Sequence, residues 1–268
     1  MNPRQHCLLC LQRTPASLLE AALWIAAEHD PTVVPASGLA QLRPLQLDIA
    51  HSLPVLPPRE LAQPLLRVLN SLGFQQDEYQ PIRPQAALLD HVLQRRRGQP
   101  LALAILALEL AHRLEIPLEG VNFPGHFLLR VPGADYLLDP CGGRRLYPAE
   151  CRELLQRQYG TNTSLNADHF AVASPMQMLQ RLSRNLRQLH THHDNDLAAL
   201  IDAERVMQLG PVSSADYLAR ATLYQRLNCP QAERFDLQHA LLLSDDPLQR
   251  LKLTERLGQL PSVSRSLH

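Results

Sequence analysis

The spacing of apolar positions divides the chain into two textures. From Pro100 to about Leu114 the pattern is almost unbroken: Leu101, Leu103, Ile105, Leu106, Leu108, Leu110 and Leu114 stand among alanines, and Glu109 is the only charge before His112. Proline suits a first helical position, and a helix apolar on nearly all sides is buried on nearly all sides. Short apolar runs at 118–122, 127–131 and 136–139 then predict strands, and 148–159 predicts a further helix. Upstream, Leu18, Leu19, Ala22, Leu23, Ile25 and Ala26 form a helical stripe that ends at Asp30-Pro31. Thr14-Pro15 is expected to open it, with capping-box spacing from Ser17 to Glu20. Short helical patterns near 40–51 and 59–71 interrupt a proline-rich stretch. The polar segment 73–84, with Pro81 and Pro84, predicts a surface loop. A helix over about 85–97 ends in Arg95-Arg96-Arg97-Gly98, and a basic run before glycine is an ordinary helix C-terminus.

From Pro175 onward the pattern is wholly helical, with stripes at about 176–191, 196–209, 213–227, 230–243 and 247–258. Ala199 to Pro211 aligns with Phe235 to Pro247, each a Leu- and Ala-rich helix closing at a proline. The offset is 36 residues, near the tetratricopeptide period of about 34. The fold class expected is α+β and mostly helical. Residues 1–165 form a domain with a small antiparallel sheet, and 166–268 an all-α domain of tetratricopeptide-like hairpins.

Composition narrows the function classes. Lys+Arg and Asp+Glu are equal at 26 each, and Lys252 is the only lysine. No global basic field therefore argues for nucleic acid or a membrane surface. No run approaches the roughly 18–20 apolar residues that span a bilayer. The apolar run Cys7 to Leu11 is too short for a signal-peptide core, so the expected location is the cytoplasm. Five cysteines, odd in number and scattered, fit reduced thiols. Cys7-x-x-Cys10 has no second Cys or His pair at suitable spacing, and its flanking leucines predict packing. His190, His192 and His193 fall at a predicted helix end, where histidines interact favourably with the dipole. No metal or cofactor is expected, and no Gly-rich phosphate loop or dinucleotide fingerprint is present.

The candidate chemistry lies in the predicted hairpin from Phe123 to Pro140. If Pro132 and Gly133 form a two-residue loop, His126 falls opposite Asp139; with a four-residue loop it faces Cys141. Asp139 and Cys141 share parity, so both lie on the His126 face in either register. Asp139 could orient the imidazole as an acid orients the base of a triad. The competing expectation is a buried His–carboxylate pair that holds the sheet.

With the helical repeats behind this pair, the chain resembles the SirB-type proteins, a bacterial family that joins a transglutaminase-like (papain-like) domain to tetratricopeptide repeats. The resemblance runs through Val92 to Pro100, Gly120 to Leu129 and Asp139-Pro140, with weaker matches at Leu72-Gly73-Phe74 and Arg181 to Leu186. It implies a papain-like fold in which a Cys at the start of the central helix attacks an acyl carbon, activated by His126 and Asp139. SirB-type relatives usually begin that helix with a Ser-Leu pair. Here the positions are Leu101, Ala102, Leu103 and Ala104, so the helix supplies no nucleophile. The family usually has Phe at Cys141, and an Asn near the loop Pro81 to Pro84.

The leading expectation is a non-catalytic cytoplasmic protein-interaction or regulatory protein on a degenerate transglutaminase-like domain, with a protein or peptide partner at the repeats. The alternative is a thiol hydrolase or acyl transferase using Cys141, His126 and Asp139. A third is binding of an acylated or amide ligand without turnover.

Overall fold

A computed structural model describes residues 1–261. Two compact units divide at Leu182/Ser183. The first contains α1 (Pro3–Gln12), α2 (Leu18–His29), α3 (Pro35–Ala40), α4 (Leu42–Ser52), α5 (Ala62–Ser71), β1 (Gln75–Gln76), α6 (Leu89–Arg95), β2 (Arg97–Gly98) and α7 (Pro100–Arg113). It continues with β3 (Glu119–Val121), β4 (Leu128–Arg130), β5 (Leu137–Leu138), β6 (Arg145–Leu146) and α8 (Pro148–Tyr159), and ends within α9 (Pro175–His192). The fold is mostly helical with a small sheet, as the pattern predicts. Strands β3 to β6 form an antiparallel meander in chain order, and β1 pairs with β2 in parallel.

Helix α7 is the spine of this unit. Every residue from Leu101 to Ala107 is buried, and the helix packs against α2, α4, α5, α6 and strands β1, β3 and β4. Its uniform apolar surface follows from that encirclement. The sheet has a second core on its other contacts, where Val121, Phe123, Leu128, Leu137 and Leu146 meet Cys151 and Leu155 of α8.

Three local expectations are corrected. The stripe from Leu18 opens at Ser17, with Thr14-Pro15 outside the helix. Ahead of it stands α1, which the pattern did not predict: Asn2 and Gln5 cap it reciprocally, at 2.8 and 3.1 Å. Cys7 and Cys10 are buried on this helix, which packs on α2, in keeping with the packing reading of the pair. The polar segment after Gly73 opens as strand β1. Helix α6 stops at Arg95, Arg96 caps it at φ 56°, and Arg97-Gly98 pairs with Gln75-Gln76. The basic run ties this junction together: Arg95 reaches Asp77 at 3.4 Å, Arg96 donates to the Leu72 carbonyl at 2.7 Å and Arg97 to that of Gly73. At Gly98 a Cβ would meet Val92 Cγ2 at 2.9 Å and the Ala86 oxygen at 3.2 Å, which selects glycine.

The second unit holds the end of α9, then α10 (Asp196–Gln208), α11 (Ser214–Arg226), α12 (Pro230–Leu242) and α13 (Pro247–Gln259). These match the predicted stripes to within a few residues. Asn195, Ser213 and Asp246 cap three of them through side-chain oxygens. Small residues allow close approach: Ala221, Leu237, Ala240 and Leu253 form one cluster, and Ala199, Ala203 and Leu223 another. The repeat is also written in charge. Arg184, Arg220 and Arg256 recur every 36 residues on α9, α11 and α13. Each binds an acid of another helix: Asp216 at 2.7 and 2.8 Å, Asp236 at 2.7 and 2.8 Å and Glu233 at 2.8 Å. No helix among the described residues is long and apolar enough to cross a membrane.

Candidate functional site

The site is built on two turns of the meander. Leu129 stands opposite Leu138 and Arg130 opposite Leu137. This is the four-residue-loop register, the one that aligns His126 with Cys141. The ladder stops at Leu129 and Leu138, however, so both candidate residues lie in turns beyond its end. His126 follows the Pro124-Gly125 turn, where Gly125 takes φ +73°, and donates its N–H to the Phe123 carbonyl at 3.1 Å. Its side chain is exposed, not part of a buried pair.

Asp139 opens the turn between β5 and β6. Its N–H donates to the Arg144 carbonyl, and its carbonyl accepts from Gly143 N–H, both at 2.9 Å. Its Oδ1 accepts the Cys141 N–H at 2.8 Å. An aspartate bonding the backbone two residues on is a turn-forming habit of this residue type. Gly142 and Gly143 take φ +110° and +76°, which the turn requires and side chains resist. The turn rests on α5, where Gln63 Nε2 donates to the Gly143 carbonyl at 2.8 Å.

Electrostatics divide the three candidates. Burial pushes the Cys141 thiol up to about 12, and the Asp139 carboxylate adds to this by its charge and by accepting the thiol hydrogen bond. An activated thiol is shifted the other way, by a cation or a helix N-terminus. The His126 imidazole is held below its ordinary value, first by partial burial of the ring and then by the Arg181 guanidinium, with Asp139 opposing. Among the described residues no hydrogen bond joins the His126 ring to Asp139. The carboxylate that would orient an imidazole therefore holds the thiol in its protonated form.

Arg181 is the member of this neighbourhood that the hairpin pattern did not reveal. Its Nη1 donates to Asn122 Oδ1 and, at 2.9 Å, to the Phe123 carbonyl, and its guanidinium lies 5.9 Å from the Phe127 ring centre. The available signal was its place in the Arg181 to Leu186 segment. At the start of α7, Gln99 donates its N–H to the Ala86 carbonyl at 2.6 Å, and Leu101 and Ala102 behind it are buried. That helix start carries packing, with no hydroxyl or thiol on its first turn.

The other candidates fall outside this neighbourhood. Cys7, Cys10 and Cys151 are buried, Cys229 is exposed, and none of the five cysteines forms a disulfide. His192 Nδ1 contacts the Gln188 carbonyl at 2.8 Å near the end of α9. His190 departs from the expectation of a dipole-facing histidine: it is buried, with Nδ1 at 2.8 Å from Asp202 Oδ2.

The architecture is that of a transglutaminase-like domain followed by tetratricopeptide-like helices. The transglutaminase-like superfamily matches residues 36–184 and the tetratricopeptide repeat residues 186–258. A UPF0162 protein of Pseudomonas aeruginosa is 58% identical over 270 residues, covering 100% of both chains. One from Xylella fastidiosa is 34% identical over 183 residues, 66% of this chain and 65% of that protein. The F-box only protein 21 of Pongo abelii is 33% identical over 146 residues, 48% of this chain and 22% of that protein. The chain belongs to the transglutaminase-like superfamily, within its UPF0162 proteins.

Proposed function

We propose that this chain is a SirB-type, cytoplasmic, non-catalytic protein that binds a protein or peptide partner through its helical repeats. The observation that carries the non-catalytic part is the Asp139–Cys141 contact. The Cys141 thiol, whose own backbone N–H is bound to the Asp139 carboxylate, is pushed up to about 12 by burial and by that carboxylate, while the first turn of α7 offers Leu101 and Ala102. A thiol hydrolase or acyl transferase using Cys141, His126 and Asp139 would need the thiolate that this contact opposes. His126 and Asp139 are then retained for the turns they occupy.

The binding part is supported by the repeat unit. Paired antiparallel helices offer extended surfaces to partners, and Phe235, Leu242, Leu243, Leu248 and Leu251 are exposed there. Phe235 and Leu242 of α12 and Leu248 and Leu251 of α13 leave apolar side chains uncovered, the kind of surface that a partner would cover. Photo-crosslinking in the native cytoplasm tests this, with a benzophenone side chain placed at Leu242 or Leu251 and, as control, at the fully exposed Val55. The expected result is a discrete, saturable adduct from the repeat positions, weakened when Phe235→Ala and Leu248→Ala are added. Equal, unsaturable labelling at Val55 and Leu242 would contradict it.

A further inference from the structure

Helix α13 is the last helix among the described residues, and its two faces differ in kind. The inner face carries Leu253, buried with Ala221, Leu237 and Ala240, and Leu257, packed against the same cluster. Arg256 fixes that seating through Glu233. By helical periodicity the opposite face carries Leu248, Leu251, Lys252, Glu255, Gly258 and Gln259, all of them exposed. Leu248 and Leu251 are 59% and 56% exposed, so more than half of each side chain is uncovered. A terminal helix of a repeat stack ordinarily turns a polar face outward. Gly258 is a second, independent departure. It stands inside α13, where only proline is a poorer helix former, and it does not take a positive φ. A Cβ there would meet nothing within 4 Å among the described residues. Neither the backbone nor the packing of this unit asks for glycine, whereas close approach of a second backbone or side chain does.

From start to end this stripe is bulky and apolar in its first half, at Leu248 and Leu251, and charged and then bare in its second, at Glu255 and Gly258. Laid parallel on itself it would set lysine against lysine and glutamate against glutamate. Laid antiparallel, about a two-fold axis midway between Lys252 and Glu255, it is self-complementary. Lys252 of each copy then faces Glu255 of the other, and Leu248 of each lies beside the other's Gly258. Neither Lys252 nor Glu255 has an ion partner among the described residues. We propose that the outer face of α13 binds a second copy of this chain, helix against antiparallel helix, in an isologous two-fold contact. This rests on the reading that the repeat unit binds a protein partner, and it names that partner for α13. The two Lys–Glu pairs set orientation and register more than affinity, and the leucines supply the apolar burial. One face of a 13-residue helix is about 20 Å long and falls short of the standard interface of about 1,600 Å². A weak dimer in the micromolar range follows.

Sedimentation velocity of the full chain over a concentration series at low salt reads the dimer. Lys252→Glu or Glu255→Lys alone brings like charges together and should weaken association about tenfold. The double exchange should restore it, and an equimolar mixture of the two single variants should form a mixed dimer. Gly258→Gln, a better helix former, should leave the folded chain at least as stable yet lower dimer formation. Lys252 is the only lysine, so carbodiimide coupling of mixed isotope-labelled and unlabelled copies should join it to Glu255 across copies. All four positions are exposed, so the variants keep the fold. A monomer up to about 1 mM, or a dimer indifferent to the charge exchange, overturns the proposal. So does a dimer that forms only once residues 262–268 are removed, which would assign the face to the chain's own end. A benzophenone adduct at Leu251 with a different protein, in a chain that stays monomeric, overturns the second copy alone and leaves the broader reading standing. Unsaturable labelling at Leu251 in a monomeric chain overturns both.

Discussion

Asp202→Ala is expected to lower the stability of the helical unit by about 3–5 kcal/mol, the usual consequence of removing one partner from a buried ion pair. Asp202 and Arg205 are both fully buried, on the same face of α10. One Asp202 oxygen accepts from Arg205 Nη1 at 2.6 Å and the other lies 2.8 Å from His190 Nδ1. Arg205 Nη1 is also 3.3 Å from Ser183 Oγ. Truncation would take the Asp202 carboxylate from a fully buried guanidinium, and arginine cannot shed its proton. The pair itself need not be a large net gain, because apolar residues of similar volume often replace such pairs at little cost. Asp202→Leu combined with Arg205→Met should therefore recover most of the loss. Urea denaturation of the three chains checks this, and a loss below about 1 kcal/mol in Asp202→Ala would mean that water or another group serves the charge.

Ile105→Ala should cost the first unit about 2–5 kcal/mol, the range for large-to-small changes in a core. Ile105 is fully buried in α7, and that helix is surrounded by four helices and strands of the sheet. A site enclosed from so many directions has little freedom to collapse onto the missing atoms, so the upper half of the range is expected. Ile105→Val, which removes one methylene, should cost about 0.5–1.5 kcal/mol. The denaturant midpoint for the first unit reads both. An alanine variant close to the parent would mean that α7 can shift and that its apolar surface is not the spine described above.

How far the chain could be read in advance depended on whether the decisive physics was periodic or local. Helix α7 was legible because its apolar residues cover all faces, and α9 to α13 because each stripe ends at a polar or proline turn. The register of the β4–β5 hairpin was not: Pro132-Gly133 satisfies a two-residue loop and a four-residue one equally, and parity is the same in both. Helix α1 has a weak apolar stripe, and its signal was the Asn2–Gln5 capping pair instead. The roles of the charges were least legible. Asp139 was paired with His126 by strand alignment, yet its carboxylate accepts the backbone N–H of Cys141, two residues on. Asp90, Asp202 and Arg205 look like any solvated helix charges in sequence, since burial of a side chain depends on which elements pack over it.

The most direct test of the non-catalytic reading is the rate of Cys141 alkylation against pH, followed by mass spectrometry in the parent, His126→Ala and Asp139→Asn. Because the thiol is raised from 9.0 to about 12, the parent should react slowly at neutral pH and keep accelerating above pH 9. His126→Ala should leave that profile unchanged. Asp139→Asn removes a negative charge that favours the protonated thiol, so its profile should move to lower pH. The same sign governs stability: a proton held more tightly in the folded state contributes fully below pH 9 and is lost as pH rises through about 12. Rapid alkylation of Cys141 below neutral pH that disappears in His126→Ala would contradict the account and establish a thiolate–imidazole pair.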